Sequence, residues 1–372
     1  MTPLRVLVVG PAPAGSLSRG GMATVVALMA AHPDARFQVT VVPTYVDGST
    51  WLRLSVGVRG MVRAAGLVLR GRVDVLHVHL SHGGSIVRKT LPLWAAKFVG
   101  VPAVVHGHSF DFGGWFDGLS STAQNLVRAA LPADHWLVLG SSHAVEYGTR
   151  LGLAEDRIIV LHNAIQVPDR AVDQVGADPV HAVALGRLGD RKGSYDLVAA
   201  VQQLPPNVRR RLRVTIAGDG EINAVTAAIA AAGVGDTVHV AGWLDTGQRD
   251  HLLSRAHVFV LPSRDEGLPM ALLEAMGCGL APVTTAVGSI GEVIRDDVNG
   301  LFIAAGRPDQ IAGALTTLVV DEERRTRLAS AARDHVGGFT INLWYERLAA
   351  LWTALASQLG PPSRSGPMER AC

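Results

Sequence analysis

Short, uninterrupted runs of apolar residues recur along this chain, each followed by glycine or a turn and then by a helical pattern. Residues 6–9 precede a glycine-containing loop, and residues 258–261 precede Pro262. A strand that is apolar at every position must be covered on both faces, which is typical of parallel sheets flanked by helices. Because the alternation occurs in both halves, we predict an α/β protein with two doubly wound parallel sheets facing across a cleft.

Length and composition agree with this prediction. The 372 residues allow two domains of ordinary size, and 48% hydrophobic with 18% charged residues indicates a globular chain. The 34 basic and 32 acidic residues leave a net charge of +2, which does not favour a nucleic-acid partner. Residues 1–165 carry 14 basic and 9 acidic residues, a mild excess that suits an anionic partner or an inert surface.

The cysteine count and the apolar runs exclude several classes of protein. Only Cys278 and Cys372 are present, so neither a disulfide framework nor a cysteine metal site is predicted. No apolar run approaches the roughly 18 residues of a membrane-spanning helix. The first ten residues are too short an apolar segment for a signal peptide and read as a strand, so we predict a cytoplasmic protein.

Two glutamates flank a predicted helix start in the second half. Glu266 lies in the loop after the strand 258–261, and Glu274 lies on the helix that opens after Gly267 and Pro269. The free amides and the positive end of a helix start suit phosphate, and carboxylates accept hydrogen bonds from sugar hydroxyls. The pair indicates a ligand with both groups, although Glu266 alone could instead be a helix cap.

Two cations follow the predicted strand 181–185. Arg187 offers a forked guanidinium and Lys192 a compact ammonium, which together suit a diphosphate and the charge that grows on a leaving group. Cations in loops are usually solvated, so the pair alone is weak evidence for a diphosphate site. Together with Glu266 and Glu274 it is strong evidence.

A glycine-rich loop follows the first strand. Gly10, Gly15, Gly20 and Gly21 allow the backbone to approach a ligand closely, or form a plain flexible loop. Their spacing is not Gly-x-Gly-x-x-Gly, which disfavours a dinucleotide oxidoreductase.

Four histidines gather at the ends of two predicted neighbouring strands. His77 and His79 share one face of the strand 74–80, and His106 and His108 follow on the strand 101–108. Such a group could bind zinc, but no carboxylate or thiolate completes an evident ligand set, and imidazoles also hydrogen-bond substrates. We therefore predict no metal; a core role suits His77 better than His108.

The helical stretch 51–72 contains no acidic residue. Arg59, Arg63 and Arg70 fall within about 40° of one another on the helix. This face could lie on an anionic membrane surface, or it could be the solvated face of an outer helix, which we favour from the sequence alone.

Together these motifs resemble family 4 glycosyltransferases, which have the GT-B fold. The resemblance is carried by Glu266-x7-Glu274 with the flanking Gly-Leu-Pro, and it spans roughly residues 5–355. The chain also resembles a subgroup of these enzymes that acts in bacterial polysaccharide and glycolipid assembly. This resemblance lies in Asp74-x-x-His77-x-His79, Ser85-x-x-Arg88-Lys89 and Pro102-x5-His108.

The resemblance implies a role for each matching residue. Arg187 and Lys192 would neutralise the donor diphosphate, Glu266 would hold sugar hydroxyls, and Glu274 would bind the ribose. His108 would hydrogen-bond the donor sugar near the reacting carbon. Further donor contacts are implied for Gly20, Gly21, Gly186, Gly218, Gly242, Trp243, Leu244, Gly267, Leu268, Pro269 and Met270. The acceptor-side candidates are His79, Ser85, Arg88 and His106.

The resemblance also implies the organisation and the reaction. Residues 1–165 would form an acceptor-binding Rossmann-like domain joined by a last helix at about 341–358, and 166–340 a donor-binding one, with 360–372 a disordered tail. The expected reaction is retaining and metal-independent transfer from a nucleotide-diphosphate sugar, without a cofactor, to a glycan or lipid-linked acceptor. A GT-B sugar-nucleotide epimerase and a non-catalytic GT-B scaffold remain alternatives.

Overall fold

The computed structural model describes residues 2–15 and 17–358, so the predicted disordered tail 360–372 lies outside the described residues. Strands and helices alternate along the chain. The strands are β1 (Leu4–Pro11), β2 (Phe37–Tyr45), β3 (Val75–Leu80), β4 (Ala103–Gly107), β5 (His135–Val138), β6 (Ile158–Val160), β7 (Val180–Leu185), β8 (Leu212–Ala217), β9 (Val238–Gly242), β10 (Val258–Leu261), β11 (Ala281–Thr285) and β12 (Leu301–Ile303). The helices are α1 (Gly21–Ala31), α2 (Thr50–Leu69), α3 (Gly84–Val99), α4 (Phe112–Asp117), α5 (Ser121–Ala130), α6 (Ser141–Leu151), α7 (Ser194–Gln203), α8 (Pro206–Arg209), α9 (Ile222–Ala231), α10 (Thr246–Leu253), α11 (Met270–Cys278), α12 (Pro308–Val320), α13 (Glu322–Val336) and α14 (Ile341–Gln358).

The first sheet is parallel and has the strand order β2-β1-β3-β4-β5-β6. Its central strands are covered on both sides, and successive residues of β1 alternate between two cores. Val6 and Val8 join a core with α1 and α14, whereas Leu7 and Val9 join one with α2 and α3. This alternation explains why the sequence of β1 is apolar at every position.

The second sheet is also parallel, with the order β12-β11-β10-β7-β8-β9. All four residues of β10 are buried, and α11 follows it after the loop that contains Glu266. The prediction of two doubly wound parallel sheets is therefore confirmed. In such sheets the strands deliver their carboxyl ends to one edge, where ligands bind.

The chain returns to the first sheet at its end. Helix α14 packs on β1 and β3, and Trp352 and Leu348 are buried there. Just before α14, Ile165 and Thr340 form a parallel bridge, and the amide of Ile341 donates to the Ile165 carbonyl at 3.0 Å. The chain thus passes between the two sheets twice at one place.

The sheets also share an apolar cluster. Leu139 and Ile165 lie in the same core as Leu268 and Met270, so the start of α11 is packed against the first half of the molecule. Within the described part of the chain, no helix combines the length and apolar character that crossing a bilayer requires.

Candidate active site in the cleft

Glu266 is held in a buried polar setting in the loop between β10 and α11. It is 5% exposed, and its carboxylate accepts hydrogen bonds from the Ser263 hydroxyl at 2.7 Å and from the Lys192 ammonium. The Ser263 carbonyl in turn accepts from Thr285 of β11 at 2.7 Å. These contacts fix the carboxylate before any ligand arrives.

The alternative that Glu266 caps α11 is wrong. The helix begins after Pro269, and no side chain caps its first turn, since the Glu266 carboxylate is engaged elsewhere. The Leu268 carbonyl is held by Asn163 at 2.7 Å. The first amides of α11, from Met270 onward, are therefore free of a side-chain cap and keep the partial positive charge that attracts anions.

Glycines bring the two predicted cations to the carboxyl end of β7. Gly186 has φ of 146°, and the aliphatic stem of Lys192 runs against it, with Cε 3.3 Å from where a Cβ would stand. Gly218 lies directly against the Gly186 carbonyl, and its amide donates to the Gly242 carbonyl at 2.7 Å. The strand ends of β7, β8 and β9 are thus packed backbone to backbone.

Arg187 and Lys192 differ in how they are held. Arg187 remains largely exposed, with only a 3.4 Å contact to Asp219, while Lys192 pairs with Glu266 and is mostly buried. Both side chains line the same small hollow beside Pro262. The Arg187 side chain can therefore move toward a bound ligand, whereas Lys192 is already held in place by Glu266.

Glu274 lies one turn into α11 and has a partner that the sequence analysis missed. Its carboxylate contacts Arg249 of α10 at 3.0 Å. Burial raises the pKa of Glu274, and Arg249 opposes that rise. Among the described residues, no hydrogen bond or ion pair links Glu274 to Lys192 or Glu266.

The glycine loop of the first half faces the start of α11. A Cβ on Gly21 would stand 3.3 Å from the Met270 side chain, whereas Gly20, with φ of 90°, has open space around it. Arg19 of the same loop stacks over the Trp243 ring, with its guanidinium carbon 4.8 Å from the ring centre. Trp243 is therefore a half-exposed cleft residue rather than ordinary core.

Two further predicted donor residues, Gly267 and Leu244, lie in the loops that follow β10 and β9. Gly267 approaches Leu139 of the first half, and its carbonyl accepts from the Ser289 amide at 2.9 Å. Leu244 is partly buried beside Trp243 at the end of β9. Gly288, with φ of 58°, packs so closely on the Glu266 backbone that a side chain there would collide with it.

His108 enters the cleft from the carboxyl end of β4. It is partly exposed, and its Nε2 lies 2.9 Å from Nδ1 of His79. Burial lowers the pKa of His108 to about 3, so the ring is neutral near pH 7. Phe110, two residues on, stacks on Arg191 of the second half at 4.4 Å, which brings the His108 loop toward the Glu266 loop.

His106 does not reach the cleft, which corrects its prediction as an acceptor-side residue. It is fully buried on β4, in register with His79, because its side chain points to the face of the sheet covered by α14. His77 is likewise fully buried and accepts a hydrogen bond from the Trp352 indole at 3.2 Å, as its predicted core role requires.

A cavity of about 320 Å³ opens at the carboxyl ends of the first sheet, and its lining includes His79, the hydrogen-bond partner of His108. Predicted acceptor-side residues line it, and its described lining carries basic side chains but no acidic one. The lining residues that matter here are Arg19, His79, Ser85, Arg88 and Lys89. The cavity can therefore hold an anionic ligand.

Lys89 is a buried residue of this cavity to which the sequence analysis assigned no role. It is 1% exposed and bonds to the Thr44 hydroxyl, and burial together with Arg88 lowers its pKa to about 7. The signal was present in the sequence as a lysine one position after Arg88, on a helix face that has no acidic neighbour. Arg249 gave no comparable signal, because its pairing with Glu274 depends on how α10 packs beside α11.

Known proteins resemble this chain in sequence and in fold. A family model described as "Glycosyl transferases group 1" matches residues 169–335. D-inositol 3-phosphate glycosyltransferase 1 of Catenulispora acidiphila is 26% identical over 82% of this chain and 76% of its own length. Alpha-maltose-1-phosphate synthase of Mycolicibacterium smegmatis is 30% identical over 64% of this chain and 69% of its own length.

Among solved structures, HepE of Anabaena in complex with UDP or UDP-glucose superposes with a TM-score of 0.73. The match covers 94% of this chain and 100% of that chain at 16% sequence identity, and it therefore speaks for the fold.

Proposed function

The chain belongs to the glycosyl transferases group 1 family, and on that premise we propose that it catalyses retaining, metal-independent transfer of a sugar from a nucleotide-diphosphate sugar to a lipid-linked acceptor. One observation carries the proposal. Glu266, in the loop that leads to the uncapped start of α11, forms a buried pair with Lys192 of the loop after β7. This combination offers cationic and amide contacts to a diphosphate and a fixed carboxylate to its sugar.

In the proposed reaction, the diphosphate lies between Arg187, Lys192 and the first amides of α11. These groups stabilise the negative charge that develops as the bond from the sugar carbon to the phosphate oxygen breaks. The acceptor hydroxyl attacks the same face of the sugar, and its proton passes to the departing phosphate oxygen. The new glycosidic bond replaces the broken bond, so configuration is retained without a covalent enzyme intermediate.

The remaining cleft residues orient the donor in this proposal. Glu266 accepts hydrogen bonds from sugar hydroxyls and Glu274 from the ribose, while Trp243 and Leu244 lie near the base. His108 hydrogen-bonds the sugar near the reacting carbon. The UDP in the HepE structures makes a uridine donor the first to test. GDP- and ADP-sugars follow, because backbone contacts to the base leave the choice open.

We also propose that the acceptor is anionic and reaches the enzyme from a membrane surface. Arg88, Lys89 and Arg19 line the acceptor cavity, which supports a phosphate on the acceptor. Arg59, Arg63 and Arg70 are all exposed on or at the end of α2.

The neighbouring surface is apolar. Trp94 and Phe98 of α3 are 45% and 82% exposed, and a groove of about 590 Å³ runs between α2, α3 and α5. None of these three helices carries an acidic residue. A basic face beside exposed aromatic side chains is what binding to an anionic bilayer requires.

The decisive experiment incubates the protein with radiolabelled UDP-, GDP- or ADP-sugars and a crude lipid extract, with and without EDTA. Transfer of label to lipid in the presence of EDTA, with the anomeric configuration of the donor in the product by NMR, is the expected result. Conversion of the donor without an acceptor would point to an epimerase, and no turnover despite donor binding would point to a scaffold. A glycosyl adduct trapped on a side chain, or inversion of configuration, would overturn the mechanism.

A further inference from the structure

Three imidazoles lie buried directly behind His108, on the face of the first sheet that α14 covers. His77 and His79 come from β3 and His106 from β4, and each is fully buried. One ring nitrogen from each lies within 4.8 Å of the others. Each neutral imidazole has one donor and one acceptor nitrogen, so the tautomer of one ring limits the tautomers of the rings it is hydrogen-bonded to.

Trp352 of α14 fixes the first proton of this order. Its indole N–H can only donate, and it lies 3.2 Å from Nδ1 of His77, so this nitrogen is the acceptor. Burial lowers the pKa of His77 to about 3, which keeps the ring neutral. The single proton of His77 is therefore on Nε2.

Several nitrogens of the cluster are left without a partner. Nε2 of His77, Nε2 of His79 and both nitrogens of His106 are buried and make no hydrogen bond to any residue that the structure describes. An unmet buried polar group costs about 1–3 kcal/mol, so a group that bridges these atoms is strongly favoured.

The chemistry of these nitrogens, together with their spacing, favours a water over a metal ion. Three nitrogens arranged tetrahedrally around a water at about 2.9 Å lie about 4.7 Å apart, which fits within the 4.8 Å that encloses one nitrogen of each ring. Zinc bonds of about 2.0–2.1 Å would require about 3.4 Å. In addition, Nε2 of His77 carries a proton and has no lone pair for a metal. The cluster suits one water with three polar partners.

We propose that His77, His79 and His106 hold one buried water, and that Trp352 acts through it to fix His108 as the tautomer protonated on Nδ1. The water accepts from Nε2–H of His77 and donates to Nε2 of His79 and to His106. His79 is then protonated on Nδ1 and donates to Nε2 of His108, 2.9 Å away. His108 is left with its proton on Nδ1, and one nitrogen of His106 keeps no partner.

The consequence concerns the ligand that His108 touches. The nitrogen of His108 that is not bound to His79 becomes a donor, so the atom it meets on the donor sugar is a hydrogen-bond acceptor, such as a hydroxyl oxygen. Trp352, His77 and His79 are positioning residues in this scheme. The reading of their effect on turnover rests on the proposed transferase activity, whereas the tautomer itself does not.

The test is histidine side-chain NMR on the full chain labelled with ¹⁵N-histidine, with signals assigned from single His→Gln variants. We expect His77 protonated on Nε2 and His108 on Nδ1. In Trp352→Phe, which removes the donor, both rings are expected to become tautomer mixtures. The matched control is Trp344→Phe, since Trp344 lies buried on the same helix and its indole N–H has no hydrogen-bond partner within the described part of the chain.

The kinetic readout separates this role from mere packing. Trp352→Phe is expected to lower kcat roughly ten- to hundredfold with little change in the donor KM, whereas Trp344→Phe changes neither tautomer. His108 protonated on Nε2, unchanged tautomers in Trp352→Phe, equal shifts in both variants, or stoichiometric metal in the purified protein would each overturn the proposal. A chain without transferase activity would leave the tautomer measurements intact, so the two failures are distinguishable.

Discussion

The buried Lys89 gives a quantitative prediction, because its ammonium is paired with no carboxylate among residues 2–15 and 17–358. Helix α3 carries no acidic residue, and the one hydrogen bond recorded for the Lys89 ammonium is to the Thr44 hydroxyl. Replacing Lys89 by Met keeps the length of the side chain and removes the charge. We expect Lys89→Met to be more stable than the wild type below pH 7 and much less active, because the charge is kept for the acceptor rather than for folding.

The magnitude follows from the shift in pKa. Lys89 moves from an ordinary value of 10.5 to about 7, which corresponds to about 5 kcal/mol. A lowered lysine pKa means that the unfolded chain binds more protons between pH 7 and 10.5, so wild-type stability rises across that window. After the loss of the Thr44 bond, the variant should gain roughly 2–3 kcal/mol at pH 6, and the gap should narrow by a similar amount by pH 9.

Urea denaturation at pH 6 and pH 9, followed by tryptophan fluorescence, measures this gap. The control is Lys97→Met, which removes an exposed lysine from the same helix and is expected not to stabilise the protein at pH 6. A Lys89→Met protein that is less stable than the wild type at pH 6, or a gap that stays constant to pH 9, would refute the assignment of Lys89 as an uncompensated buried cation.

Three further predictions concern the cleft and the basic helix. Lys192→Ala should lower kcat by about 10²–10³ in steady-state assays, and an unchanged kcat would remove it from the transition state. Glu274→Gln should weaken donor binding roughly ten- to hundredfold by calorimetry. Because burial raises the pKa of Glu274, donor affinity in the wild type should already fall at a pH above the ordinary pKa of a glutamate. Arg249→Met should move this fall to higher pH, and an affinity that does not depend on pH contradicts the prediction. Arg59→Glu with Arg63→Glu should reduce sedimentation with anionic vesicles at least tenfold at low salt and leave binding to neutral vesicles unchanged, at about 1 kcal/mol per arginine.

The fold was predictable because its signals are local. Residues 6–9 and 258–261 are apolar at every position, and only strands covered on both faces require this. The placement of β3 beside β4 was also predicted, and in the structure His79 and His106 are direct neighbours across the two strands. What the pattern could not give is the direction in which each histidine points relative to the helices, and so His106 was assigned to the wrong environment.

The candidate site divides in the same way. Lys192 and Glu266 could be predicted because each lies in a loop at the end of a strand, with glycines around it. Arg249 and Trp352 act through tertiary packing of helices far along the chain, and no spacing in the sequence links them to Glu274 or His77. Contacts between elements that are remote in sequence are set by shape, which a periodic pattern does not encode.

The double crossing of the chain at Ile165 and Thr340 limits how the cleft can open. A single connecting segment would allow the halves to swivel freely, but two backbone segments hydrogen-bonded side by side resist twisting about their common direction. The two halves can then open by rotating about this paired connection, but not by twisting along it. Each closure should therefore restore the contacts of Arg19 with Trp243 and of Phe110 with Arg191. The residues on the two sides of the cleft then take the same relative positions at every turnover.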